Sequence, residues 1–194
     1  VALLEKYHAD VVLYDSSDKL TKEDLEAKLP GESKAVCIAG ELPEEVELSI
    51  LAAVLSPGVP TDIPLVNRMR DRGVQILGEI ELGFLAEQGR VIAITGTNGK
   101  TTTTTLTGEI MKAHFGEEKT FVVGNIGNPY TLEVTKTSKD SVTVGEISSF
   151  QLETIHTFHP VVSAILNITP DHLNRHHTME AYVAAKEAVA SHQT

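Results

Sequence analysis

A glycine-rich segment in the middle of the chain has the residue types of a phosphate-binding loop. It reads Gly96-Thr97-Asn98-Gly99-Lys100-Thr101-Thr102 and lies between an apolar run and a helical pattern. Glycines let the backbone curl so that several N–H groups converge on phosphate oxygens, and a helix N-terminus adds partial positive charge. Lys100 would reach the β- and γ-phosphates of a nucleotide, and the hydroxyl of Thr101 would bind Mg²⁺. All seven residues are therefore candidates for nucleotide binding.

The match to the general phosphate-loop pattern is incomplete. G-x-x-x-x-G-K-[ST] has a glycine five positions before Gly99, where this sequence has Ile94. The alternative is an ordinary glycine-rich turn whose threonines cap the next helix. Because a strand, a loop and a helix are predicted in the required order, we favour nucleotide binding.

A carboxylate follows a predicted strand further along the chain. The predicted strand 141–145 is followed directly by Glu146. Phosphate-loop folds use an acid at the tip of a neighbouring strand to hold Mg²⁺, directly or through water. Glu146 is the candidate for that role, and the alternative is a surface carboxylate at a strand end.

Three histidines lie after the last predicted strand, within the segment 167–177. Loops at the carboxyl ends of parallel strands commonly carry sites. His172 and His176 are one helical turn apart, which is compatible with zinc. No cysteine lies nearby, however, and asparagine and aspartate downstream of a phosphate loop favour magnesium and phosphate. The remaining alternative is an exposed polar loop.

Two further polar segments are less informative by themselves. Lys186 lies on the last predicted helix, where a lysine is most often solvated. The segment 124–127 follows a predicted strand and could present the amide of Asn125 to a ligand, or it could be a plain turn.

The elements that must position these residues alternate along the chain. Apolar, β-branched runs predict strands, whereas capping residues and glycine stops delimit helices. The strands are predicted at 11–14, 35–39, 51–55, 74–77, 91–94, 120–123, 141–145 and 161–166, and the main helices at 62–72, 79–87, 100–115 and 178–192. Two further helices are predicted, one at 1–7 and one that starts at Thr21 with Asp24 three residues later. This order predicts an α/β fold with a doubly wound parallel sheet.

Charge divides the chain into two parts. The formal net charge is −11, of which −8 falls in residues 1–90 and −3 in residues 91–194, and seven of the eight histidines lie in the second part. The shift predicts two units that meet near Gly89 and Arg90, with the chemistry in the second.

Composition excludes several classes of protein. With 41% hydrophobic and 22% charged residues the chain has the balance of a globular protein. Its acidity argues against nucleic-acid binding, and it has neither an apolar run of membrane-spanning length nor a signal-like pattern in residues 1–10. We expect a soluble, cytoplasmic monomer without membrane insertion, in which Cys37 is a buried small hydrophobe.

Taken together, these segments resemble the Mur ligase family. Residues 96–102 resemble the family's own short phosphate loop, which removes the objection about Ile94. Residues 146–153 are similar to the segment that sets the D-glutamate-adding member apart from its siblings. Further similar segments are 56–60, 78–81, 124–127, 167–175 and 182–186. The resemblance spans nearly all of the chain.

The resemblance implies an ATP-dependent ligase that adds D-glutamate to UDP-N-acetylmuramoyl-L-alanine through an acyl phosphate, in peptidoglycan precursor synthesis. Lys100, His172 and Lys186 would be the catalytic residues. Thr101 and Glu146 would bind one Mg²⁺, and His172 a second. Lys186 would be carbamylated, so that it becomes an anionic oxygen ligand of metal.

The resemblance also implies how the chain is divided. Residues 1–89 would form part of a Rossmann-like domain that binds the UDP substrate, and residues 90–194 would form part of a central ATP-binding domain. Ser56, Gly58, Asn125 and His172 would contact the UDP substrate. The C-terminal domain that binds the amino acid would be absent, so we expect a fragment that turns over little by itself.

Two alternatives to this ligase remain at the level of sequence. One is a noncatalytic nucleotide-binding module. Glu146, His172 and Lys186 argue against it, because such a module would not require a second metal ion or an activated lysine. The other is a sibling ligase such as a folylpolyglutamate synthase. The segment 148–151 argues against this second alternative.

Overall fold

The computed structural model describes residues 1–192, and contacts divide the chain into two compact units. The first is Val1–Leu51, and the second begins at Ala52. Each unit is built from parallel strands and helices that alternate along the chain.

The first unit holds one pair of parallel strands. Its elements are α1 (Ala2–Lys6), β1 (Val12–Asp15), α2 (Lys22–Glu26), β2 (Val36–Ala39) and α3 (Glu44–Ser49). Helix α2 starts where its capping residues predict, because the Thr21 side chain accepts a hydrogen bond from Asp24 N and the Asp24 carboxylate accepts one from Thr21 N. Leu3, Leu25 and Cys37 are buried, which confirms the prediction for the cysteine.

The second unit holds a strand pair and a four-stranded sheet. Its elements are β3 (Ala52–Leu55), α4 (Pro64–Asp71), β4 (Gln75–Gly78), α5 (Glu79–Ala86), β5 (Arg90–Thr95), α6 (Lys100–Phe115), β6 (Thr120–Gly124), α7 (Tyr130–Glu133), β7 (Val142–Glu146), α8 (Ser149–Leu152), β8 (Val162–Ile165), α9 (Leu173–His176) and α10 (Met179–Glu187). Strands β3 and β4 pair in parallel, and the larger sheet has the parallel order β6-β7-β5-β8. The carboxyl ends of β5, β6 and β7 therefore meet at one edge, where the predicted site residues lie.

The predicted α/β class with parallel sheets is confirmed, and each predicted strand has its counterpart. Four helices were not predicted, namely α3, α7, α8 and α9. They have only four to six residues, which is too short to display a helical repeat of apolar positions. The last helix ends at Glu187 rather than His192, because the chain tightens into a 3₁₀ turn at Ala188–Ala190.

The compact units do not divide where the change in charge predicts. Residues 52–89 belong to the second unit, because helix α5 is tied to the loop before β8. The buried Glu81 carboxylate accepts hydrogen bonds from the backbone N–H groups of His156, Thr157 and Phe158. A boundary between functional domains near Gly89 stays a prediction.

Within residues 1–192, no helix is both long enough and apolar enough to span a membrane.

Candidate active site

The phosphate-binding loop connects β5 to α6 with the geometry that its glycines allow. Gly96 and Gly99 have φ angles of +147° and +82°, which side chains disfavour. A Cβ at Gly96 would also lie only 3.2 Å from the Cβ of Leu166. No side chain caps the first turn of α6, so its backbone N–H groups point out of the helix unpaired by a cap.

Asn167, which follows β8, holds the loop from the opposite side. Its backbone oxygen accepts a 3.0 Å hydrogen bond from Thr97 N. Its side chain accepts a 2.9 Å hydrogen bond from Asn98 N and donates one of 2.9 Å to Asn98 O. The N–H groups of Thr97 and Asn98 are thus already paired, and those free for a phosphate begin at Gly99.

Two lysines donate to carbonyl groups of the same loop. Lys100 Nζ donates to Thr97 O at 3.0 Å, and Lys186 Nζ donates to Gly96 O at 2.8 Å. Lys186 is 2% exposed and its ammonium lies 4.7 Å from the centre of the Tyr182 ring. Burial, reinforced by the positive charge of Lys100, lowers the pKa of Lys186 from 10.5 to about 8. A lysine that the sequence leaves as an ordinary solvated residue is therefore partly neutral near physiological pH.

Glu146 lies at the end of β7, beside Ile94 of β5. It is 1% exposed, and its Oε1 accepts a 2.9 Å hydrogen bond from Asn125 Nδ2. Its Oε2 is buried and has no hydrogen-bond partner among the described residues. A buried carboxylate oxygen without a donor is costly. Glu146 therefore fits a cation, which supports its predicted role in holding Mg²⁺.

His172 stands at the start of α9 in the left-handed conformation, with φ of +51°. Its Nε2 lies 3.4 Å from Oδ2 of Asp171, and its ring centre is 5.0 Å from that of Phe150. Both His172 and Asp171 are about half exposed, so they remain accessible to a ligand.

A cleft with a volume of about 280 Å³ gathers most of these residues. It is lined by Lys100, Asn125, Ser148, Ser149, Phe150, Asp171, His172, Tyr182 and Lys186. Four predicted residues from four separate segments of the chain therefore meet at one place, namely Lys100, Asn125, His172 and Lys186. Their chemical roles stay predictions.

Other predicted residues lie outside the cleft lining. Thr101 and Thr102 are exposed on the first turn of α6. Ser56 and Gly58 are exposed on the loop after β3, where Ser56 O accepts a 2.9 Å hydrogen bond from Val59 N. Their contacts with a nucleotide and with a diphosphate stay predictions.

Behind the cleft lies a polar cluster that joins the buried Ser149 and His176 to the half-buried Glu153 and Arg175. His176 faces this cluster rather than His172, although the two are one helical turn apart. Among residues 1–192 there is no group of three or more histidine, cysteine, aspartate or glutamate side chains arranged to hold a metal ion. The zinc alternative thus finds no support, whereas Mg²⁺ commonly takes few ligands from the protein.

Sequence reasoning missed the roles of Asn167 and Tyr182. The Tyr182 hydroxyl lies 3.0 Å from Thr97 Oγ1, which links α10 to the phosphate loop. A signal for Tyr182 existed, because it precedes Lys186 by one helical turn and must share its face. No local signal identifies Asn167, because its partners Thr97 and Asn98 lie about seventy residues away along the chain.

Comparison with known proteins accords with this architecture. Residues 94–194 match the family described as "Mur ligase middle domain". A crystal structure of the UDP-N-acetylmuramate-alanine ligase of Thermotoga maritima is 20% identical, with a TM-score of 0.53 over 98% of this chain and 43% of that chain. At this identity the likeness concerns the fold.

Curated relatives match over the full length of the chain. The UDP-N-acetylmuramoylalanine--D-glutamate ligase of Lachnospira eligens is 58% identical over 194 residues, which are 100% of this chain and 42% of the relative. The ligase of the same name from Clostridioides difficile is 47% identical over 192 residues, which are 98% of this chain and 42% of the relative. The chain spans less than half the length of these curated relatives. By the family match over residues 94–194, the chain belongs to the Mur ligase family.

Proposed function

We propose that this protein is an ATP-dependent ligase that adds D-glutamate to UDP-N-acetylmuramoyl-L-alanine. The observation that carries the proposal is the 58% identity, along the whole chain, to a ligase named for this reaction. The site supports it, because Lys100 and Lys186 place positive charge beside the phosphate loop, and Glu146 places a buried negative charge at the end of β7.

ATP would bind with its phosphates on the phosphate loop. The N–H groups from Gly99 onward and the dipole of the 16-residue helix α6 favour an anion there. Lys100 would exchange its hydrogen bond to Thr97 O for phosphate oxygens. Because Asn167 fixes Asn98 on both its N–H and its C=O, the loop need not reorganise around the nucleotide.

The acyl substrate would present its carboxylate between Asn125, His172 and the phosphate loop. Two anions must approach each other for the phosphoryl group to move to the carboxylate, so cationic groups have to reduce their repulsion. Lys100 is one such group in the chain itself. Attack by the amine of D-glutamate on the acyl phosphate would form the amide and release phosphate.

We further propose two Mg²⁺ ions at the phosphate loop and the cleft beside it. Glu146 and Thr101 would hold one and His172 the other, with Lys186 as a ligand in its carbamylated form. Bound Mg²⁺ neutralises phosphate charge during the transfer. The lowered pKa of Lys186 supports carbamylation, because only the neutral amine attacks carbon dioxide, forming an N–C bond and releasing a proton.

We also propose that Ser56 and Gly58 contact the diphosphate, and that residues 1–89 form a domain that binds the UDP substrate.

We further propose that the protein acts as a monomer in the cytoplasm, since ATP is available there. Size-exclusion chromatography tests the oligomeric state.

The decisive experiment measures phosphate release by protein expressed from the complete gene. We expect release from ATP only when UDP-N-acetylmuramoyl-L-alanine and D-glutamate are both present. Equal release without D-glutamate, or with L-alanine in its place, would contradict the proposal. A noncatalytic nucleotide-binding module would bind ATP and release no phosphate under any of these conditions.

Glu146→Gln is the matched test of the metal-binding carboxylate. The amide keeps the size of the side chain but removes its charge, so we expect at least ~100-fold slower phosphate release. The exposed Glu118→Gln serves as the control and should retain full activity.

A further inference from the structure

The polar cluster behind the cleft has no part in the proposed chemistry. Ser149 Oγ lies 2.9 Å from Nε2 of His176, and Nδ1 of the same ring lies 3.5 Å from Oε1 of Glu153. The other carboxylate oxygen of Glu153 accepts a 2.7 Å hydrogen bond from Arg175. Ser149 and His176 are only 3% and 7% exposed, so bulk water hardly competes for these contacts.

The cluster determines which nitrogen of His176 carries the hydrogen. Nδ1 lies 3.5 Å from a carboxylate oxygen of Glu153, so the negative charge stabilises a hydrogen on Nδ1 and would repel a lone pair there. The Nδ1–H form is therefore favoured. Burial lowers the pKa of His176, which favours the neutral ring. In this form Nε2 can only accept, and Ser149 donates its single hydroxyl hydrogen to it.

The Ser149 hydroxyl therefore presents only its oxygen lone pairs to the cleft, where it can accept a hydrogen bond but not donate one. It lines the cleft beside Asn125 and His172, and its hydrogen is committed to the ring behind it. A hydroxyl in this state offers only lone pairs to a ligand. The neighbouring Ser148 differs, because its hydroxyl both donates to Gln151 Oε1 and accepts from Gln151 N.

We propose that Ser149 accepts a hydrogen bond from the amide N–H next to the reacting carboxylate of the acyl substrate. His176 and Glu153 act as positioning residues that keep the serine in its accepting orientation. The inference rests on the proposed function, in which the acyl substrate is an N-acylated alanine. An analogue without the N–H would bring an oxygen against the serine lone pairs and leave them unpaired.

The test compares two acyl substrates, the amide and the ester analogue in which oxygen replaces the amide nitrogen. Both are supplied with ATP and D-glutamate to protein expressed from the complete gene, and kcat/KM is measured by phosphate release. We expect the wild-type protein to prefer the amide by about 10-fold or more. Ser149→Ala should reduce this preference to about 2-fold, since alanine cannot tell the two atoms apart.

A second variant tests the positioning role. His176→Phe keeps a ring against Phe150, which stacks at 5.4 Å, but it removes both nitrogens and frees the Ser149 hydrogen. We expect a smaller amide preference than in the wild type, and no further loss when Ser149→Ala is added. Ser191→Ala, at an exposed serine, is the control and should keep the full preference.

The outcomes separate the inference from the proposed function. Turnover of the amide with an unchanged preference in Ser149→Ala overturns the inference and leaves the ligase reaction standing. Absence of any turnover of the amide by the wild-type protein overturns the proposed function, and the inference with it.

Discussion

Among the site residues, Lys186 differs most between the solvated position that its local sequence indicates and the buried position that it has in the structure. A lysine near the end of a helix is usually solvated, yet this one is buried beside the phosphate loop with Lys100 as a cationic neighbour. The cost of burying its ammonium is a property of the folded state alone. It should therefore be visible in the pH dependence of stability.

The sign of that dependence follows from the lowered pKa. Between about 8 in the folded chain and 10.5 in the unfolded chain, the unfolded state binds more protons, so the free energy of unfolding rises with pH. Lys186→Met removes the buried charge and should be more stable than the wild type by ~1–3 kcal/mol at pH 7, with a smaller difference at pH 9. Urea unfolding in buffers free of carbon dioxide measures both values.

The control for this prediction is Lys139→Met, at an exposed lysine. Its difference from the wild type should be small and should not change with pH. A Lys186→Met variant whose difference is the same at pH 7 and pH 9 would contradict the buried charge.

Residue identity alone predicted part of the site. Lys100, Asn125 and His172 follow strands or a glycine-rich turn, and parallel strands bring such residues to one edge. For Lys186 only the family resemblance indicated a role, because burial and a partner such as Gly96 O are not encoded in local spacing. The role of Ser149 can be inferred only from its contact with His176. The sequence does not indicate that contact, because the His176 ring could equally have faced His172.

At the scale of elements, the strands could be predicted because apolar β-branched runs mark them directly. Helices α7, α8 and α9 could not, since each has only four residues and is held by contacts rather than by its own repeat. Helix α9 follows His172, whose positive φ is uncommon for any residue with a side chain and is not marked by the local sequence pattern.

The connection between β8 and α9 also acts on the phosphate loop. Asn167→Ala would leave Asn98 N and Asn98 O without their partners and free the loop to move. We expect Mg-ADP to bind about 10-fold more weakly, because part of the binding free energy would go into ordering the loop. Isothermal titration calorimetry measures the change in Kd.

Asn174→Ala is the matched control, because Asn174 is exposed on α9, directly after the same connection. Its Kd should equal that of the wild type. Equal affinities for Asn167→Ala and Asn174→Ala would mean that the loop holds its shape without the asparagine.

At the scale of the whole molecule, the distribution of charge and the distribution of contacts divide the chain differently. Net charge changes near residue 90, whereas the compact units separate between Leu51 and Ala52. Charge reflects surface composition, but cooperativity follows buried contacts. Helix α5 precedes the predicted boundary, and its Glu81 is bound to residues 156–158 beyond it.

Glu81→Ala tests whether residues 52–192 unfold as one cooperative unit. The variant removes a 1% exposed carboxylate that also accepts a 2.6 Å hydrogen bond from the Thr157 hydroxyl, and it leaves three backbone N–H groups without this partner, among them that of the buried Phe158. We expect a loss of ~3 kcal/mol or more in the free energy of unfolding, against less than ~0.5 kcal/mol for the exposed Glu118→Ala. In one cooperative unit, hydrogen exchange should accelerate together in α5 and in the central strands β5 and β7. Faster exchange confined to α5, with β5 and β7 as protected as in the wild type, would instead mean that the charge boundary near residue 90 is also a boundary of folding.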